Sequence, residues 1–205
     1  MTRRDQIIDA ARRCFADRGY GATSIRDLEE AAGLTPGAGG LYRHVPSKQA
    51  LLEAVVRAEV DANRRAVEAM HAPTDDDPRR LLEHGARAGL AQLDDQVELM
   101  RILFRDLPAF PDLVELVRRE LTDEVYRAFA DRVRTGQAVG VVPTAVDADA
   151  VAVLAIGPLV DVKLKQHLLG FTPLDVDEDR LVAAWVDLFA GHLGGDAGGD
   201  PGGVR

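Results

Sequence analysis

The stretch TSIRDLEEAAGLTPGAGGLYRHVPSK, residues 23–48, decides how the rest of the chain is read. Thr23 and Ser24 are good helix N-caps, and Ile25, Leu28, Ala31 and Ala32 recur at helical spacing, which predicts a short helix burying one apolar face. Gly33 follows the last periodic residue, where glycine takes the left-handed C-cap conformation without a Cβ clash, and Leu34 is placed to pack back onto the helix. Thr35 and Pro36 then offer an N-cap and a first helical position, while Leu41, Tyr42 and Val45 give the next segment a buried side. Pro46 and Ser47 end it. Two short helices joined by a glycine turn form a helix-turn-helix, in which the N-terminal residues of the second helix enter the DNA major groove.

Outward from this stretch, the run IIDAARRCFADRGYGATSIRDLEEAAGL, followed by LYRHVPSKQALLEAVV, resembles the N-terminal DNA-binding domain of the TetR family of bacterial transcriptional regulators, over roughly the first quarter of the chain. The resemblance rests on Phe15 with Gly19 and Tyr20, on Ala32-Gly33-Leu34, and on Leu41-Tyr42-Arg43-His44 followed by Ser47-Lys48. It implies that Tyr42 and Lys48 hold DNA phosphates. It also implies that Thr35, Pro36, Gly37, Ala38, Gly39 and Gly40, between the turn glycine and that tyrosine, face bases. Thr23, Arg26, Arg43 and His44 complete the candidate DNA-binding set.

Two features depart from the family pattern. The segment TPGAGG between Leu34 and Leu41 is longer than the usual spacing, and its glycines loosen it. Position 29, where the family carries a small residue at the helix crossing, is Glu29. A carboxylate does not sit unpaired in a tight crossing, so either the crossing widens or Glu29 swings to the rim. The two changes are expected to compensate each other. The longer segment would then reach into the groove with few base-reading side chains, leaving specificity to backbone contacts and DNA shape.

With 205 residues, 46% hydrophobic and 29% charged, the chain suits one or two globular domains. No apolar run is long enough to span a bilayer, and Met1-Thr2-Arg3-Arg4 leads into an amphipathic helix, so a soluble cytoplasmic protein is expected. The single cysteine, Cys14, excludes an internal disulfide and reads as a small core residue. Net charge is −9, yet residues 1–48 carry eight Lys/Arg against six Asp/Glu, a net of +2 that leaves −11 on the remainder. A mildly basic head on an acidic body orients the head toward DNA.

Along the chain, residues 3–18 form a first helix with Ile7, Ala10, Ala11, Cys14 and Phe15 on one side, and Tyr20 plugs the core beneath the helix-turn-helix. Ser47 caps a connector helix running to about Met70, and a helix of some 24 residues spans roughly 36 Å. Ala72 to Pro78 is a loop whose aspartates lack the spacing of a metal site. Helices follow over 78–92, 94–107 and 111–135, with a break at Pro108. The apolar segment from about Asp147 to Leu169 is expected to kink at Pro158, and Asp177 begins the last helix. Val139 to Val142 is β-like but has no partner strand. The fold expected is all-α, with about nine helices: a DNA-binding domain over 1–48, a connector helix over 47–70, a ligand-binding and dimerisation domain over 71–193, and a disordered glycine-rich tail over 194–205.

The last two long helices carry surplus apolar surface, and small Ala155 and Gly157 would allow close approach of their mates in a homodimer. The family resemblance implies a repressor released from a palindromic operator in double-stranded DNA by a small molecule. Met100, Phe104, Phe110, Tyr126, Phe129, Asp161 and Lys165 are candidate ligand-binding residues on aromatic, flexible or polar chemistry. No cofactor, metal or catalysis is expected: His84, His167 and His192 are scattered, and no nucleophile or phosphate motif is present. The alternative is a helical small-molecule or protein-binding module whose DNA-binding head has degenerated.

Overall fold

A computed structural model describes residues 2–69 and 77–193. Of the loop expected over 72–78, residues 72–76 lie outside the described residues, as does the tail over 194–205. The protein is all-α: among the described residues every regular element is helical. Val139 to Val142 forms a turn closed by the Val141 N–H on the Gly136 carbonyl at 2.9 Å.

The order of elements is α1 (Arg3–Arg18), α2 (Ile25–Ala31), a 3-10 turn (Gly40–Arg43), α3 (Lys48–Ala69), α4 (Pro78–Asp95) and α5 (Val97–Arg105). A 3-10 turn at Leu107–Ala109 holds Pro108 and leads into α6 (Pro111–Val117). A π-helical turn (Arg118–Thr122) joins α6 to α7 (Asp123–Ala138), so the single helix expected after Pro111 is present with a widened turn inside it. Arg118 bridges that turn, reaching Glu115 at 2.6 Å and Asp123 at 2.7 Å. Then come α8 (Ala148–Leu164), which passes through Pro158 unbroken, and α9 (Glu178–Leu193).

Contacts divide the chain into two units, Met1–Ala69 with Gln92–Asp123, and Met70–Ala91 with Glu124–Arg205. The first joins the head and connector helix to residues 92–123, an association that hydrophobic periodicity does not encode. Its core holds Phe15, Leu28, Leu41, Leu52 and Val56, with Ile102 and Leu113 contributed by the later segment. Tyr20 sits where the sequence puts it, its ring 5.6 Å from Phe15 and edge-on to Phe110 at 4.9 Å. Arg12 ties three helices of this unit together: it lies 2.7 Å from Asp9 on α1, 2.7 Å from Glu98 on α5 and 3.4 Å from Glu59 on α3. Arg105 on α5 closes the end of α1 by donating to the carbonyls of Phe15 and, at 3.0 Å, Ala16.

In the second unit α8 and α9 pack around Trp185, whose indole N–H donates to the Ala155 carbonyl at 2.8 Å. Ala155 is fully buried there, so the expectation that it lines an outer helix pairing is corrected: its small size admits Trp185 of the same chain. Lys163 is buried on α8 and reaches Glu178 at the start of α9 at 2.9 Å.

Candidate nucleic-acid interface

The first helix of the pair is delimited by a side-chain cap at its start and by a glycine turn at its end. Ser24 is the N-cap: its hydroxyl accepts from the Asp27 N–H at 3.1 Å, and the Asp27 carboxylate accepts from the Ser24 N–H at 2.8 Å. The Ser24 hydroxyl also donates to the Asp27 carboxylate at 2.6 Å; this bond and the one from the Ser24 N–H, with Arg18 nearby, hold the Asp27 carboxyl below the ordinary carboxylate value. At the other end Gly33, with φ 65°, donates to the Glu30 carbonyl at 2.9 Å, and Leu34 donates to the Glu29 carbonyl at 2.8 Å. This is the paired C-terminal closure that a left-handed glycine permits.

The second helix does not start at Pro36, which corrects the expectation from sequence. Thr35, Pro36, Gly37 and Ala38 form a turn, with Ala38 donating to the Thr35 carbonyl at 3.2 Å and Gly37 at φ 80°. Proline second and a left-handed glycine third is the pattern of a type II turn, and it outcompetes helix initiation by the same Thr-Pro pair. Gly39 is again left-handed, at φ 68°, and only Gly40–Arg43 closes into a 3-10 turn.

Glu29 does not swing to the rim. It is fully buried, and its carboxylate accepts from the Gly37 N–H at 2.6 Å and the Leu41 N–H at 3.3 Å. The Gly37 N–H sits inside the turn and the Leu41 N–H at the start of the 3-10 helix, so neither has a partner in its own element. One carboxylate therefore satisfies two orphan donors that the longer segment creates.

The structure places the candidate DNA-binding residues unevenly. Arg26, Thr35, Pro36, Gly37, Ala38, Tyr42, Arg43 and His44 are exposed, while Gly39, Gly40 and Lys48 are half-buried. Lys48 stacks its ammonium 4.3 Å above the Tyr20 ring, and burial lowers its pKa against the opposing pull of Asp106 and Asp27. Thr23 differs from the rest. It is fully buried, with its hydroxyl donating to the Gly19 carbonyl at 2.7 Å, so it closes α1 and does not point outward.

The ligand candidates are spread over both units. Met100 is buried, Phe104 exposed and Phe110 packed on Tyr20 in the first; Tyr126 and Phe129 pack in the core of the second, where Phe129 lies edge-on to Trp185. Asp161 and Lys165 pair with each other one helical turn apart. Of these candidates Phe110 alone lines either of two described clefts, one of about 280 Å³ bounded by Gln49, Glu53, Arg57, Asp112 and Leu116. The other, about 300 Å³, is bounded by Arg79, Arg80, Glu83, Arg87 and Asp187. Sequence reasoning missed the roles of Glu29 and Arg12, whose partners are distant in the chain. Among the described residues no group of three or more His, Cys, Asp or Glu is placed to hold a metal ion.

Among the described residues the chain is all-helical, and a capped α2 followed across a glycine turn by a short 3-10 segment has the arrangement of a helix-turn-helix. Residues 7–55 match the family described as bacterial regulatory proteins, tetR family. It is similar to the HTH-type transcriptional repressor KstR2 of Mycolicibacterium smegmatis, 42% identical over 60 residues, covering 29% of this chain and 28% of the relative. It is also similar to the HTH-type transcriptional repressor AcnR of Corynebacterium diphtheriae, 34% identical over 129 residues, covering 60% of this chain and 61% of the relative. The matched part thus spans less than two thirds of these relatives. The fatty acid degradation regulator FadR from Bacillus halodurans has the same fold, with a TM-score of 0.73 over 94% of this chain and 97% of that one at 20% identity.

Proposed function

We propose that the chain is a DNA-binding transcriptional repressor that acts as a cytoplasmic homodimer on a palindromic operator and is released by a small, largely apolar effector. The observation that carries this reading is the head: a tetR-family domain with Arg26, Tyr42, Arg43 and His44 exposed and Lys48 beside them. Residues 1–48 form the DNA-binding part, α3 the connector, and 71–193 the effector and dimerisation part. No described helix is long and apolar enough to cross a membrane, which agrees with that location. Val153 and Leu154 on α8 and Leu188 on α9 are more than half exposed, at 58%, 64% and 57%, and supply an apolar face for a second copy. Two heads about 34 to 36 Å apart would meet successive major grooves. By linkage, an effector that weakens DNA binding is weakened by DNA to the same degree, a coupling on the order of 1 to 3 kcal/mol.

The competing reading, a binding module with a degenerate head, rests on Glu29, the longer TPGAGG segment and the acidic balance of the chain. Glu29 is bonded to Gly37 and Leu41, which weakens the first two grounds, and the net charge of −9 is offset in the head, where residues 1–48 carry +2. The test is a gel shift of the protein on its own upstream DNA, with and without a library of hydrophobic small molecules. A retarded band that a library member releases is expected; no retardation even at low salt would falsify the proposal.

A further inference from the structure

We infer that Glu29 is the positioning residue of the DNA-reading segment: its buried carboxylate, and not helical geometry, fixes the backbone from Gly37 to Leu41. This rests on the DNA-binding reading of the head and deepens it. In a helix-turn-helix with a regular second helix, the ladder of backbone bonds presents the reading residues. Here that ladder is absent over Thr35 to Gly39, where the Ala38 bond to Thr35 is the only backbone bond made by an N–H of the segment to another residue of it. Gly37 and Gly39 occupy left-handed conformations, and glycine loses the most conformational freedom when it is ordered. Such a segment needs a fixed anchor, and Glu29 supplies it from the helix below with bonds at both ends. The same residue contributes its backbone carbonyl to the closure of α2 at Leu34, so α2, the glycine turn and the reading segment are locked through a single position.

Chemistry makes the anchor specific. A carboxylate offers two acceptor oxygens and no donor, which suits two converging N–H groups. Glutamine keeps one acceptor and adds a donor that faces an N–H; aspartate is a methylene too short to span both; alanine leaves the buried Leu41 amide and the more exposed Gly37 amide without this partner.

The test compares wild type with Glu29→Gln and Glu29→Ala, using the duplex that wild type enriches from a random-sequence pool and a shuffled duplex of the same composition. Affinity for the enriched duplex should fall by at least about tenfold in Glu29→Ala, and by less in Glu29→Gln, while affinity for the shuffled duplex stays within about twofold. Amide hydrogen exchange at Gly37 and Leu41 should accelerate in both variants while the α1 and α3 amides keep their protection. An equal loss on both duplexes, or unchanged exchange at Gly37 and Leu41, overturns the inference. If Glu29→Ala does not fold, Glu29→Gln carries both measurements. A pool that yields no enriched sequence defeats the DNA-binding reading itself, and the exchange measurement still decides whether Glu29 orders the segment.

Discussion

Lys48 and Thr23 illustrate how residues of similar promise separate once packed. Both belong to the candidate DNA-binding set, yet Thr23 is consumed by the Gly19 carbonyl while Lys48 lies on the Tyr20 ring with its charge at the edge of the head. An ammonium held over an aromatic face pays less entropy when it meets a phosphate, because its position is already restricted. Lys48→Ala is expected to weaken binding to all DNA sequences alike and to flatten the slope of log affinity against log salt by about one. A salt titration of both variants on specific and shuffled duplexes measures this; a loss confined to the specific duplex is the contrary result.

Elements of the head are set by their termini. The box formed by Ser24 and Asp27 starts α2, and its bonds, with Arg18 adding to them, lower the Asp27 pKa from 3.8. A lowered folded-state value means the contribution is present above pH 3.8 and is lost as pH falls through the folded value. Asp27→Asn should therefore reduce stability near neutrality and flatten the acid limb of the stability curve, as urea unfolding across pH 2 to 6 would reveal. The segment from Thr35 to Gly40 obeys a different rule: it has turn chemistry at Pro36-Gly37, and its Gly37 N–H bonds to Glu29 of α2. On the proposed DNA-binding reading, discrimination by this segment would fall on backbone groups and DNA shape more than on side chains.

Across the whole molecule, the first unit concentrates three carboxylates, Asp9, Glu59 and Glu98, around Arg12. Burial raises the Glu59 pKa above 4.5, Arg12 opposes that, and Glu98 and Asp9 add to it. Because the folded-state value is raised, ionisation of Glu59 costs stability as pH climbs from 4.5 through the folded value. Glu59→Gln should thus be more stable than wild type at pH 7 and indistinguishable from it below pH 4, by thermal melting at both; a variant less stable at pH 7 would contradict the balance of burial over pairing. In the second unit, the exposed apolar residues of α8 and α9 are the proposed contact with a second copy. Leu154→Glu should convert a dimer to a monomer in sedimentation velocity at micromolar concentration and abolish operator binding, with the helical circular dichroism unchanged. A wild-type monomer would remove this part of the reading.

Periodicity and caps placed most helix ends: Ser24, Ser47 and Gly33 lie where short-range chemistry starts or stops a helix, and the structure uses them there. The resemblance of residues 7–55 to the tetR family was legible too, because its motifs lie within one continuous stretch of sequence. Three things were decided only by the tertiary structure. Thr35-Pro36 reads as a helix start, and the left-handed glycines after it, with Gly37 bonded to Glu29, made a turn of it. Ala155 reads as a small residue for a partner helix, and Trp185 of the same chain took the space. Glu29 itself reads as a misfit in a helix crossing, since nothing in a local window reveals that two unpaired N–H groups, eight and twelve residues away, converge on its carboxylate. The physical reason is common to all three: short-range bonds are written in neighbouring residues, whereas the partner that satisfies a buried polar group or fills a void is fixed only when distant segments meet.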